Sequence, residues 1–147
     1  MSTSSTKRIL IIEDNPGDLL LIKEALRIQS LDCSLTHYAT TVEALRAIAD
    51  CGNGDAELPD LIMVDYNLPG GDARDILAAV AKNPNLDGIP KAVVTSSVAP
   101  SDRMKAMQLG AHFIHKPCDF DEFMAAVGNG IRSLLASGGA ASRGACP

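Results

Sequence analysis

Apolar residues along this chain fall into two alternating kinds of run. The first kind is short and continuous: "RILII" at 8–12, "LIMV" at 61–64, "KAVVTSS" at 91–97 and "AHFIHKP" at 111–117. These read as strands, and the more polar "SLTHYA" at 34–39 reads as a further strand at a sheet edge. Between them apolar positions recur at helical spacing. Leu19, Ile22 and Leu26 share one face behind Asn15-Pro16, with Lys23, Glu24 and Arg27 turned outward. Asn15 is a natural N-cap, and proline at the first helical position loses no hydrogen bond. Val42, Leu45 and Ile48 mark a second helix, and Ile76, Leu77 and Val80 a third over 73–82. A fourth covers 101–109 and stops at Gly110, a residue suited to the left-handed turn that ends helices. Its Met104 and Met107 are expected in the core. The last helix opens at Asp119, with Glu122 three residues on, and its stripe runs through Phe120, Phe123, Val127, Ile131 and Leu134. Gly128 and Gly130 each weaken it by about 1 kcal/mol relative to alanine, so tertiary packing must hold it.

Strands that are each followed by a helix call for a parallel sheet covered on both faces. A strand buried on both sides has no reason to alternate, which suits the unbroken runs at 8–12, 61–64 and 91–97. The predicted fold is therefore α/β: a doubly wound, five-stranded parallel sheet of order 2-1-3-4-5, a flavodoxin-like three-layer sandwich. One domain is expected over residues 7–136, with residues 1–6 and the small polar tail at 137–147 disordered.

Composition narrows the setting. The chain has 147 residues, 46% hydrophobic, with three Phe, two Tyr and no Trp, so its core must be aliphatic. A formal charge of −5 argues against a nucleic-acid surface, which needs a basic patch. No apolar run approaches the roughly 18 residues of a membrane helix. The start, "MSTSSTKR", lacks the apolar stretch of a signal peptide, so a cytoplasmic location is expected. Cys33, Cys51, Cys118 and Cys146 are scattered without a C-x-x-C pair and read as free thiols. His112 and His115 lie an odd spacing apart on a strand and face opposite ways, which disfavours a metal site between them.

In sheets of this kind, function gathers at the carboxyl ends of the strands. The first strand ends in Glu13-Asp14, the third in Asp65, the fourth in Thr95-Ser96 and the fifth in Lys116-Pro117. Singly, each has a plain structural reading: a cap, a solvated loop acid, a good β-former, a surface lysine. Together they form a site. Three carboxylates held close repel one another, and one lysine does not balance them. A hard divalent cation does, and Mg²⁺ with its preference for oxygen ligands leaves water positions open for a phosphoryl oxygen. Asp65 is then placed to act as nucleophile on phosphorus, while Mg²⁺, the Thr95 hydroxyl and the Lys116 ammonium stabilise the equatorial oxygens. The Pro69-Gly70-Gly71 turn would leave room for metal and phosphate.

With these residues in place the chain resembles the receiver domains of two-component response regulators over about residues 7–136. The resemblance implies that Asp65 is the phosphoacceptor and that Asp14 binds Mg²⁺ directly and Glu13 through water. It implies further that Asp65 shares the metal and that the Asn67 backbone carbonyl completes the protein ligands. Thr95, Ser96, Lys116 and Phe113 would then be the phosphoryl-binding and switch positions. A cis Lys116–Pro117 bond, frequent in the family, would turn the ammonium inward. The segments "EDNPGDLLLIKEAL", "DYNLPGGDARDIL" and "NPNLDGIPKAVVTSS" look most like stand-alone regulators of phytochrome-type histidine kinases. That likeness implies a sensor histidine kinase as phosphoryl donor, a downstream protein or phosphotransfer protein as target, and scope for a homodimer. Phe113 stands where the family often has Tyr, and Ala73 where its turn often has Gly, so this turn should not need positive φ.

No helix-turn-helix pattern follows residue 136, so output is expected through protein contact, with no nucleic acid and no membrane involved. Turnover enzymes that use an aspartyl phosphate usually carry D-x-D, whereas Asp65 is followed by Tyr66-Asn67. The expectation is thus a self-phosphorylating acceptor and not a turnover enzyme. A receiver-like scaffold that works without phosphorylation is the alternative. A flavin-type cofactor binder would need a hydroxyl- and glycine-rich loop where this chain has Glu13-Asp14-Asn15-Pro16.

Overall fold

The computed structural model of the chain describes residues 6–54, 57–68, 71–96 and 99–144. Its elements follow one another as β1 (Lys7–Ile12), α1 (Pro16–Ile28), β2 (Cys33–Tyr38), α2 (Thr41–Asp50), β3 (Leu61–Asp65), α3 (Ala73–Ala81), β4 (Lys91–Thr95), α4 (Pro100–Gln108), β5 (His112–His115) and α5 (Phe120–Gly144). The five strands form one parallel sheet in the order β2-β1-β3-β4-β5. Fold class and strand order are those predicted. A two-residue antiparallel ladder, Asn67–Leu68 against Gly71–Asp72, follows β3 and was not foreseen. Pro69 and Gly70, the predicted turn between its strands, lie outside the described residues, as do residues 1–5 and 145–147.

Each central strand feeds two cores at once because successive side chains point to opposite faces. Ile9, Ile11, Leu61, Met63, Ala92 and Val94 pack with the buried faces of α1 and α5. Leu10, Ile12, Ile62, Val64 and Val93 pack with α2, α3 and Ala106 of α4 on the other side. This is why the runs in β1, β3 and β4 read as continuous. Edge strand β2 instead alternates half-buried and exposed positions.

Local chemistry sets the helix ends. The Asn15 side chain accepts hydrogen bonds from the backbone N–H groups of Gly17 (2.8 Å) and Asp18 (3.2 Å), with Pro16 at the first position of α1. Gly110 ends α4 at φ +81°, and the N–H groups of Gly110 and Ala111 close on the carbonyls of Met107 and Ala106. The Asp119 carboxylate caps α5 by accepting from the Glu122 N–H at 2.9 Å. Ala73 begins α3 as a buried residue, and no positive φ occurs there.

Several expectations are corrected. Phe120, expected in the buried stripe of α5, is 51% exposed as the first residue of that helix; α2 forms where Val42, Leu45 and Ile48 mark it, with Thr41, Ala44 and Ile48 buried and Val42 turned out. Met104 and Met107 are also exposed, since only Ala106 of α4 is buried. Helix α5 continues to Gly144, past the boundary expected at 136. An existing helix adds residues without a new nucleation cost. The Lys116–Pro117 bond is trans, as no cis peptide occurs among the described residues.

The two weak residues of α5 have a packing reason. A Cβ on Gly128 would lie 2.8 Å from Gln29 Cγ, and one on Gly130 would lie 3.0 Å from Ile114 Cδ1. Glycine lets α5 approach α1 and β5. Gln29 then locks the approach by donating to Asn129 (3.0 Å) and accepting from Arg132 (2.9 Å).

Candidate functional site

Strand register brings the predicted residues to one edge. Ile12 pairs with Val64, so Glu13 and Asp65 leave the sheet at the same level. Asp65 pairs with Val94, one residue before Thr95, and the Lys116 N–H donates to the Thr95 carbonyl at 2.8 Å. Leu61 to Val64 are fully buried, which holds Asp65 rigidly at the end of β3.

Glu13, Asp14 and Asp65 each present a carboxylate oxygen, and these oxygens lie within 4.8 Å of one another. Glu13 is buried, Asp65 half-buried and Asp14 exposed, so the cluster opens to solvent on one side. Such a set fits a hard divalent cation: oxygen donors only, excess negative charge and room for water. Asn67, whose carbonyl was assigned to the metal by resemblance, lies two positions past Asp65 in the small ladder.

Lys116 is the counter-charge within the protein. It is only 7% exposed. Its ammonium donates to Glu13 Oε1 at 2.8 Å and to Asp18 Oδ2 at 2.9 Å, and stands 3.8 Å from Asp65 Oδ2. Burial alone would lower its pKa. The hydrogen bonds to Glu13 and Asp18 and the attraction of Asp65 outweigh that, and the pKa stands above the ordinary lysine value. The inward turn expected from a cis peptide is thus achieved with the trans isomer, the one X–Pro bonds favour by about 0.5–1 kcal/mol.

Thr95 is buried at the end of β4, and Ser96 next to it is exposed. Ser96, Lys116 and Pro117 share a cleft with Asp18, Cys118 and Phe120. Phe113 lies one strand over, half-buried, with the Arg103 guanidinium of α4 5.3 Å from its ring centre.

Two contacts escaped the sequence reading. Asp18, which the sequence reading did not single out, is an acid in the first turn of α1, where carboxylates are favoured by the helix dipole. Only the fold brings it to Lys116. His37 Nε2 lies 2.6 Å from the Glu13 carbonyl, which can only accept, so the imidazole donates there and ties β2 to the acidic pair. Nothing in the pattern of "SLTHYA" signals that bond. Cys33, Cys51 and Cys118 are free thiols as expected, and Cys146 lies outside the described residues.

A sheet of this order with acids, threonine and lysine at its carboxyl edge defines a class, and the comparisons agree with it. A family model for the response regulator receiver domain matches residues 9–128, and the chain belongs to that family. Among its relatives is response regulator Rcp1 of Synechocystis, 33% identical over 104 residues, covering 70% of this chain and 71% of the relative. The solved structure of a phosphorylated cyanobacterial phytochrome response regulator, RcpA, superposes with a TM-score of 0.80 at 29% identity, over 90% of this chain and 96% of that one. The Mn²⁺-bound form of Rcp1 gives a TM-score of 0.75 at 30% identity, over 86% of this chain and 92% of that one. No helix among the described residues is long and apolar enough to cross a membrane.

Proposed function

We propose that this response regulator accepts a phosphoryl group on Asp65 from the phosphohistidine of a phytochrome-type histidine kinase in the cytoplasm. The reading is carried by one observation. The Asp65 carboxylate, mounted on a fully buried strand, lies within 4.8 Å of the Glu13 and Asp14 oxygens and 3.8 Å from the Lys116 ammonium. The phytochrome assignment draws on the kinship to RcpA and Rcp1.

In the transfer, an Asp65 oxygen attacks phosphorus in line with the phosphorus–nitrogen bond. That bond breaks, and the imidazole leaves with the electron pair and takes up a proton. Glu13, Asp14, Asp65 and the Asn67 carbonyl would hold Mg²⁺, which supplies positive charge to the phosphoryl oxygens when bound. Lys116 compensates a further part of that charge, and the Thr95 and Ser96 side chains offer hydroxyls at the end of β4. As Thr95 turns toward the phosphoryl group, Phe113 follows, and the surface of α4, β5 and α5 changes as a two-state element that a protein partner reads. The aspartyl phosphate is later hydrolysed on the chain itself, so the protein is a switch and not a turnover enzyme.

Incubation with acetyl phosphate and Mg²⁺ followed by intact mass measurement tests the reading. The wild type should gain one phosphoryl group and Asp65→Asn none. An unchanged wild type, or an equal gain in both, would sink it.

A further inference from the structure

The Lys116 ammonium makes its two short contacts with Glu13 and Asp18, while the phosphoacceptor is left at 3.8 Å. One of these partners, Glu13, belongs to the acidic cluster and the other does not. A divalent cation entering between Glu13, Asp14 and Asp65 would meet an ammonium already hydrogen-bonded to one of its own ligands. Like charges repel, and the Lys116 side chain, 8% exposed, is poorly screened by water. The ammonium must yield Glu13 at least in part, and it needs another anionic partner when it does.

Asp18 is built for that role. Its backbone N–H is fixed by the Asn15 cap at 3.2 Å, and its position in the first turn of α1 is set by Pro16. Its side chain is 30% exposed against 8% for that of Lys116, so its carboxylate keeps a hydrated flank while reaching the ammonium at 2.9 Å. We infer that Asp18 is a positioning residue: a second seat that draws the Lys116 ammonium off Glu13 and so admits the divalent cation. Asp18 is not itself a metal ligand here. Its action passes through the lysine.

This inference rests on the metal site of the proposed function but not on phosphorylation, so binding of Mg²⁺ alone tests it. Isothermal titration of the full chain with Mg²⁺ would compare wild type, Asp18→Asn, Lys116→Gln and the double variant, with Asp18→Ser in place of Asp18→Asn if the latter does not fold. Loss of Asp18 should weaken Mg²⁺ binding about fivefold when Lys116 is present and about twofold or less when it is absent, a non-additivity that marks coupled residues. The smaller loss is what a nearby negative charge gives without the lysine. Equal losses in the two backgrounds would overturn the inference and leave the proposed function standing. No Mg²⁺ binding by the wild type would overturn both.

Discussion

Lys116→Met is the sharpest probe of how this site is held together. Methionine keeps the unbranched stem and removes the ammonium. The change strands Glu13, which is 2% exposed and also accepts from the Asn15 N–H at 3.2 Å, beside Asp14 and Asp65. Two opposite charges at 4 Å attract by about 4 kcal/mol at an effective dielectric constant of about 20, and the ammonium's own desolvation offsets part of that. Removing one partner of a buried pair generally costs about 3–5 kcal/mol. Asp18 recovers water through its exposed flank, which points to the lower end, so a loss of about 3 kcal/mol is expected. With a urea slope of about 1.5 kcal/mol per molar, the midpoint should fall by about 2 M. Circular dichroism through a urea titration without divalent cations reads this directly. The deficit should shrink in saturating Mg²⁺, because the cation replaces the missing positive charge. Adding Glu13→Gln should restore much of the loss. A midpoint near the wild type, or a double variant no better than the single one, would refute the view that Lys116 neutralises a buried carboxylate.

Further outcomes follow from the same geometry. Because the folded-state pKa of Lys116 is raised, its stabilising contribution is fully present below the unfolded value of about 10.4 and is lost as pH rises through the folded value. Wild type should therefore lose stability in strongly alkaline solution more steeply than Lys116→Met, as thermal melts across that range would report. Gly128→Ala should cost about 1 kcal/mol in urea titration although alanine favours helix by about that amount, because its Cβ would meet Gln29, whose end is held by Asn129 and Arg132. A stabilised Gly128→Ala would contradict the close approach of α1 and α5. Asp65→Asn should weaken Mg²⁺ binding by at least about tenfold, since it removes a charged oxygen donor from the cluster; calorimetry would detect an unchanged affinity.

How much of this was legible beforehand depended on whether the signal was local. Asn15-Pro16, Gly110 and Asp119 announce their roles through capping chemistry that reaches only a few residues: Asn15-Pro16 and Asp119 open helices and Gly110 closes one, as their types suggest. The buried runs of β1, β3 and β4 were equally plain, because a strand covered on both faces needs no polar positions. Phe120, Met104 and Met107 misled for the complementary reason. An apolar residue at helical spacing indicates a face, but which turn of that face meets the sheet depends on helix placement. The isomer of Lys116–Pro117 was likewise open, and it is the trans bond that delivers the ammonium to the acids.

The order of residue types along the chain was enough to determine a parallel α/β sheet and to bring Glu13, Asp14, Asp65, Thr95 and Lys116 to its carboxyl edge. Period-two burial and right-handed crossovers leave little choice once the runs are set. The tertiary structure alone decided which acids Lys116 touches. Its partners lie about a hundred positions away in sequence, 103 for Glu13 and 98 for Asp18. No local pattern encodes a contact of that span, because it depends on how α1 settles against the sheet that carries β1 and β5. That settling seats the ammonium between Glu13 and Asp18 and leaves Asp65 a little apart.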